Sequence, residues 1–383
     1  MRKIKVAFFA DMLTENFDGA ARTIYQIINR IDKSRFEYFF ITGSAPSAQF
    51  PFKYYLVPSI DIPKNEDYKL AIPALAFFEM NNAMLIFKPD VIHISSPSFL
   101  GRYALDYARS NKIPVVTIYH THFISYVDYY FKDARFLIEA VKSFVISRNK
   151  SFYNGCDLVL VPSLSLLEEL KSYDFDAQKM QLWPRGMDTG LFSPHKKNLS
   201  LLTSFGIEKP VVLFASRLVW EKNLSTLKEV YQLNEDSGSP FQFVVAGDGV
   251  AKEELQTQMP SALFLGKLDH ETLSVWYASA FAFLFTSDTE TYGNVVIEAM
   301  ASGLPVVVAD AGGPKDLVTQ FKTGIKCQPT DAQAFFNALQ TLHSNNDLRT
   351  KIIQQSLAFV TSLDWNRLVE NYFEKVSLLA ASK

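Results

Sequence analysis

Cysteine is nearly absent. Cys156 and Cys327 are the only two in 383 residues, far apart and in no CxxC spacing. That pattern speaks against a disulfide framework or a zinc site and fits a reducing compartment. An excess of charge is missing too: 38 Lys and Arg stand against 40 Asp and Glu, a formal net charge of −2. Nothing in that balance draws the chain to nucleic acid, although a local basic patch remains open. No segment reaches the ~18 consecutive apolar residues of a membrane-spanning helix. Near the start, the apolar stretch Val6–Ala10 is stopped by Asp11, well short of the ~7–15 residues of a secretion-signal core. It reads as a buried first strand. Export is not expected; a cytoplasmic location is.

Several site chemistries are also missing. Gly247-Asp248-Gly249 has Lys252 where a dinucleotide fingerprint needs its third glycine. Gly266-Lys267 is followed by Leu268 and preceded by no suitable glycine, so there is no phosphate-binding loop of the G-x-x-x-x-G-K type. There is no G-x-S-x-G nucleophile elbow. A D-x-D carboxylate pair, usual in metal-dependent sugar transfer, is lacking in any loop suited to hold one.

What is present is an ordinary globular balance, 48% hydrophobic and 20% charged, in a length that argues for two domains. Val6–Ala10 is followed by a polar loop, Thr14 to Gly19, and then by Ile24, Ile27, Ile28 and Ile31 at helical spacing. Phe36–Ile41, Val91–Ile94, Val115–Ile118 and Leu158–Val161 continue the alternation of buried strand and amphipathic helix. Trp183 to His195 concentrates Pro184, Gly186, Gly190 and Pro194 and looks like a boundary. The alternation then restarts with Val211–Ala215, Phe243–Ala246, Phe281–Phe285 and Pro305–Ala309, and Trp365 to Leu379 predicts a terminal helix. This is the pattern of α/β domains with parallel, doubly wound sheets. Ligands of such sheets bind outside the carboxyl ends of the strands.

The richest stretch runs from Thr286 to Pro305. A strand passes through a polar turn at Gly293 into a helix that stops at Gly303-Leu304-Pro305. Glu290 falls in the loop and Glu298 on the second helical turn. A diphosphate is favoured at such a helix N-terminus by unpaired N–H groups and the helix dipole. Arg217 and Lys222, in the loop after Val211–Ala215, supply two cations that can meet charge on a leaving phosphate in place of a metal. The plainer alternatives are a solvated loop for Glu290, a helix-surface charge for Glu298 and a solvated basic loop for the two cations.

The string Glu290-Thr291-Tyr292-Gly293-Asn294-Val295-Val296-Ile297-Glu298 resembles the E-x7-E signature of retaining glycosyltransferases of family four. Ala215-Ser216-Arg217-Leu218-Val219-Trp220-Glu221-Lys222-Asn223 is similar to that family's donor-phosphate motif, with Ser216 in place of the usual glycine. Ala246-Gly247-Asp248-Gly249 matches its G-D-G turn, Asp310-Ala311-Gly312-Gly313 its Gly-Gly loop, and Asp18-Gly19-Ala20-Ala21-Arg22 its donor-facing glycine loop. Pro89-Asp90-Val91-Ile92-His93 and Tyr119-His120-Thr121-His122 also fit. Trp183-Pro184-Arg185-Gly186-Met187-Asp188 is most similar to the subgroup of sulfoquinovosyl-diacylglycerol synthases and GDP-mannose-dependent α-mannosyltransferases. The resemblance extends along essentially the whole chain.

It implies a GT-B fold: two Rossmann-like domains facing a central cleft. Residues 1–188 would form the acceptor side, 189–362 would bind the nucleotide sugar, and 363–383 would be a terminal helix docking back on the first domain. The implied activity is retaining, metal-independent transfer of a mannose- or glucose-type hexose from a GDP- or UDP-sugar to a lipid or glycan hydroxyl. The resemblance makes His120, Glu290, Arg217 and Lys222 catalytic, with His120 at the transferred sugar and Glu290 on its hydroxyls. It lines the donor with Gly19, Arg185, Arg217, Lys222, Gly247, Leu268, Glu290, Thr291, Tyr292, Gly293, Asn294, Val295 and Glu298, the last on the ribose. No cofactor or metal is expected. A metal site at His120 and His122 is the rival use of those histidines, with no third ligand evident nearby. His93, closing a strand, reads as a packed structural histidine. A catalytically silent nucleotide-sugar-binding protein is the alternative function, and a sugar-phosphate isomerase a further one that lacks its general acid.

Phe131 to Tyr153 differs in kind. Lys132, Arg135, Lys142, Arg148 and Lys150 interleave with Phe136, Leu137, Val141, Phe144, Val145 and Phe152, against Asp133 and Glu139 alone as acids. Either a basic amphipathic helix lies on an anionic membrane, with Phe144 and Phe152 at the acyl boundary, or it is a domain helix whose apolar face is core. The first reading would make the protein peripheral on the inner face of the cytoplasmic membrane.

Overall fold

A computed structural model describes residues 2–15, 19–62, 65–120, 122, 124 and 135–382. The chain forms two compact units. One holds the described residues before Arg185 together with those from Trp365 onward; the other is Arg185–Asp364.

In the first unit the strands are β1 (Ile4–Ala10), β2 (Phe36–Thr42), β3 (Lys53–Leu56), β4 (Ser59–Ile62), β5 (Asn65–Ala71), β6 (Val91–Ile94), β7 (Val115–Ile118), β8 (Leu158–Val161) and β9 (Met180–Leu182). Among the described residues, seven of them form one parallel sheet in the order β3-β2-β1-β6-β7-β8-β9, while β4 and β5 pair antiparallel. The two-residue period of β1 splits its side chains between two cores. Ala7 and Phe9 join Ile92, Ile94, Met80, Met84, Leu105 and Phe152 on one face. Val6, Phe8 and Ala10 join Ile27, Ile28, Tyr372 and Val376 on the other. A fully buried phenyl such as Phe8 contributes roughly 1.5–3 kcal/mol.

The terminal helix Trp365–Ala381 belongs to that second core. Trp183 Nε1 donates to the Leu368 carbonyl at 2.9 Å. His93 Nδ1 and the Tyr372 hydroxyl are 2.8 Å apart, and the His93 ring stacks on Phe8. Burial pushes the imidazole down to about 3, so His93 is neutral. Its place is structural, as the sequence suggested.

The second unit contains β10 (Val211–Ala215), β11 (Gln242–Ala246), β12 (Leu263–Gly266), β13 (Ala282–Phe285), β14 (Val306–Ala309) and β15 (Ile325–Cys327). All are parallel, in the order β12-β11-β10-β13-β14-β15. Both sheets are doubly wound. Strand order reverses at β1 in the first unit and at β10 in the second, and those switch points are where such sheets take ligands.

The basic stretch forms the helix Arg135–Tyr153; residues 131–134 and the side chains of 135–137 lie outside the described residues. Phe152 is fully buried beneath the Arg102 guanidinium, which lies 5.4 Å from its ring centre. It therefore packs the core and cannot stand at an acyl boundary. Phe144, by contrast, is exposed. Among the described residues, no helix is long and apolar enough to cross a membrane.

Candidate functional site

In the second unit the loops after β10, β11, β13 and β14 converge through backbone contacts. Gly247 has φ +143°, and a Cβ there would lie 1.8 Å from the Ser216 carbonyl oxygen. Only glycine lets the G-D-G turn fold this tightly on the β10 loop. Leu218 N donates to the Asp248 carbonyl at 2.8 Å, and Ala251 N to the Leu218 carbonyl at 3.0 Å. The serine that replaces the family's glycine at position 216 leaves this interlock in place.

Beyond Arg217 the loop tightens into a short 3-10 turn, Trp220–Lys222, ended by Asn223 in the left-handed conformation. The Asn223 amide holds that turn to the β13 loop, donating to the carbonyls of Thr286 at 3.1 Å and Pro329 at 2.7 Å. Thr289 Oγ1 donates to the Glu221 carbonyl at 2.9 Å. These bonds deliver Lys222 to Glu290: Nζ and Oε1 are 2.8 Å apart, with the lysine side chain 4% exposed and the glutamate 25%. Burial pushes the Glu290 carboxyl up, but the Lys222 ammonium beside it, with Arg217 farther off, holds it below its ordinary value. Arg217 is mostly exposed and donates to Glu221 Oε1 at 3.3 Å. The solvated-loop alternatives for Glu290 and Lys222 therefore fail.

The helix Asn294–Ala301 starts after Gly293, as the sequence predicts. Glu298 on its second turn is 2% exposed, so it is no surface charge. The Tyr277 hydroxyl donates to Glu298 Oε2 at 3.4 Å. The Gly-Gly loop closes over the signature loop: Gly313 N donates to the Glu290 carbonyl at 2.8 Å, and a Cβ on Gly313 would meet Tyr292 Cα at 2.4 Å. Tyr292 is buried and donates to the Arg185 carbonyl at 3.1 Å, joining two residues expected at the donor. Thr291, Asn294 and Val295 are partly exposed around this turn. Leu268, after β12, packs its side chain against the core of the unit.

In the first unit, Gly19 opens the helix Gly19–Ile28 after β1; Asp18 lies outside the described residues. His120 is half-buried just past β7. Thr121 lies outside the described residues, but His122 is buried with both ring nitrogens engaged. Its Nδ1 is 3.0 Å from the Tyr119 hydroxyl and its Nε2 2.9 Å from Glu169 Oε1. His122 therefore anchors the segment that carries His120. Among the described residues, no three His, Cys, Asp or Glu side chains gather as metal ligands would.

Two acids escaped the sequence reading. Asp11 ends β1 at the switch point, buried, and accepts from Ser96 Oγ at 2.8 Å. Burial raises its carboxyl above the ordinary value, against the hydrogen bonds from Ser98 and Ser96. Asp288, two residues before Glu290, is likewise raised by burial. An ionisable residue at the carboxyl end of a buried strand was the signal available at Asp11; there it served only to end an apolar run.

Family models match both units: "Glycosyltransferase Family 4" over residues 17–191 and "Glycosyl transferases group 1" over 203–358. The chain is 30% identical over 330 residues to a GDP-mannose-dependent alpha-mannosyltransferase of Mycolicibacterium smegmatis, covering 84% of each. It is 35% identical over 289 residues to a sulfoquinovosyl transferase of Arabidopsis thaliana, covering 73% of this chain and 54% of that one. With an alpha-monoglucosyldiacylglycerol synthase of Streptococcus pneumoniae it shares 25% over 330 residues, covering 79% and 70%. Among solved structures, a sucrose-phosphate synthase from Thermosynechococcus elongatus superposes with a TM-score of 0.77 at 19% identity, covering all of both chains. The fold is that of the GT-B enzymes.

Proposed function

The chain belongs to glycosyltransferase family 4, and on that premise we propose that it moves a mannose- or glucose-type hexose from a GDP- or UDP-sugar to a lipid hydroxyl, with retention at the anomeric carbon. The Lys222–Glu290 pair, set beside Arg217 at the β10 switch point, carries this reading. When the bond to the diphosphate breaks, negative charge grows on the β-phosphate. Arg217 is exposed enough to contact it in a bidentate fashion, and Lys222 keeps two donors beyond the one given to Glu290. The pair fixes both side chains beforehand, so neither must reorganise as charge develops. No metal is then required for this neutralisation.

In this reading Glu290 orients the sugar hydroxyls and Glu298 accepts from the ribose. Gly247, Leu268, Thr291, Gly293, Asn294, Val295 and the Arg185–Tyr292 link shape the rest of the donor site. Gly19 and His120 act from the first unit, His120 near the transferred sugar. A lipid acceptor is favoured over a glycan by the diacylglycerol named for the S. pneumoniae relative. It implies peripheral work at the inner face of the cytoplasmic membrane.

The test is thermal unfolding with GDP-mannose and UDP-glucose, each with and without a chelator, followed by transfer to diacylglycerol in vesicles. A donor at 100 times its dissociation constant adds about 2.7 kcal/mol. Stabilisation by one donor, retained in chelator, is the expected result. Stabilisation that needs Mg²⁺ or Mn²⁺ would remove the metal-free role of Arg217 and Lys222.

A further inference from the structure

The helix Phe77–Phe87 is apolar on both sides. Inward, Met80 and Met84 are fully buried. Outward, Phe78 is 83% exposed, Ile86 73% and Leu85 60%, with Leu75 at 68% in the turn just before. Phe78, Leu85 and Ile86 share one stripe at helical spacing, with the polar Asn82 between them. A row of large apolar side chains left in water marks an interaction surface.

The stripe continues onto its neighbours. Tyr103, on the helix Phe99–Ser110, donates to Asn81 Oδ1 at 3.2 Å. Arg102 of that helix donates to the Arg148 carbonyl on Arg135–Tyr153 at 3.3 Å. The three helices thus make one layer, which adds exposed Phe99 and Phe144. Among their described side chains Arg102, Arg109, Lys142, Arg148 and Lys150 stand against Glu79, Asp106 and Glu139, five cationic to three acidic, on a chain whose net charge is −2. That imbalance selects the occupant. In a symmetric dimer the same patch meets itself, setting cation against cation. An anionic bilayer meets the cations with opposite charge and the phenyl and alkyl groups with hydrocarbon.

We propose that this layer, led by Phe78, Leu85 and Ile86, is the surface on which the first unit rests on an anionic lipid bilayer. Lys88, Arg102 and Arg148 lie toward the headgroups. The proposal rests on the lipid-acceptor reading. It moves the principal contact from Phe131–Tyr153, where the sequence put it, to Phe77–Phe87.

The experiment is co-sedimentation of the full chain with phosphatidylcholine vesicles containing or lacking phosphatidylglycerol, at low and high salt. Wild type should pellet with the anionic vesicles at low salt. Phe78→Ser/Ile86→Ser should lose about tenfold in partitioning with no change in melting temperature, since neither side chain packs the core. A second variant, Arg148→Glu, should lose binding to anionic vesicles alone. Equal partitioning of wild type and the double serine variant would overturn the proposal. So would a wild-type dimer that the serine variant converts to monomer. Donor-induced thermal stabilisation, unaffected by these exposed side chains, reports separately on the glycosyltransferase reading.

Discussion

Lys222 and Glu290 sit 2.8 Å apart in the second unit, although they come from loops after different strands, β10 and β13. The lysine is almost wholly buried, so the glutamate is its main compensation. Lys222→Met takes the adjacent cation from the partly buried Glu290 carboxylate, leaving only the more distant Arg217. The expected loss is about 3 kcal/mol, the low end for a broken buried pair because Glu290 keeps 25% of its side chain exposed.

The pH dependence should reverse in that variant. In the wild type the Glu290 carboxyl is held below its ordinary value, so its contribution is complete above that value and disappears as pH falls through the folded one. Without Lys222, burial remains and pushes the carboxyl up; the carboxylate then destabilises the fold, and acidification relieves it. Urea unfolding across the carboxylate range should show wild-type stability rising with pH through this step. The variant, compared with the wild type at each pH, should lose most at neutral pH. Parallel curves would mean that the pair is electrostatically idle.

The two glutamates should separate in steady-state kinetics. Glu298→Ala removes a contact proposed for the ribose, made equally in ground and transition states. It should raise the donor KM by about tenfold and leave kcat nearly unchanged. Glu290→Gln disturbs the orientation of the sugar when the anomeric bond breaks. Its kcat should fall by about 100-fold. The same KM and kcat pattern in both variants would refute the division of roles.

Much of the fold was legible because the central strands are short runs of buried apolar residues. Val91–Ile94, Val115–Ile118, Leu158–Val161 and Val211–Ala215 appear at the bounds their sequence suggests. Edge elements were not legible. Lys53–Leu56 is largely exposed and polar on one side, and Met180–Leu182 is three residues long. The helix Phe77–Phe87 was missed for a different reason: apolar on both faces, it lacks the periodicity that separates a helix from other apolar runs. Within the site, motifs indicated which side chains matter but not their partners. The Lys222–Glu290 contact depends on Asn223 reaching Thr286 and Pro329, a tertiary event with no local signature.

Gly313→Ala tests whether the Gly-Gly loop shapes the signature loop. Its Cβ would stand 2.4 Å from Tyr292 Cα and 2.5 Å from Tyr292 N, both backbone atoms that cannot turn aside. Overpacking of this kind costs about 1–3 kcal/mol. A lower melting temperature is expected, together with weaker donor stabilisation, because Tyr292 is displaced next to Glu290. Wild-type donor stabilisation in a destabilised variant would separate the loop's packing from ligand binding.

The product should keep the anomeric configuration of the donor sugar. Inversion needs a base on the face opposite the leaving group, aimed at the acceptor hydroxyl. His120 is the group proposed near the transferred sugar, and its neighbour His122 is committed at both nitrogens, to Tyr119 and to Glu169. That arrangement fixes the segment and leaves His122 no lone pair for taking up an acceptor proton. On the proposed reading departure and attack share one face, and the β-phosphate oxygen that Arg217 and Lys222 are proposed to hold receives the proton. Proton NMR of the first product formed, recorded before mutarotation or further transfer, reads the configuration from the anomeric coupling. An α-configured donor should give an α-linked product; a β-linked one would refute retention.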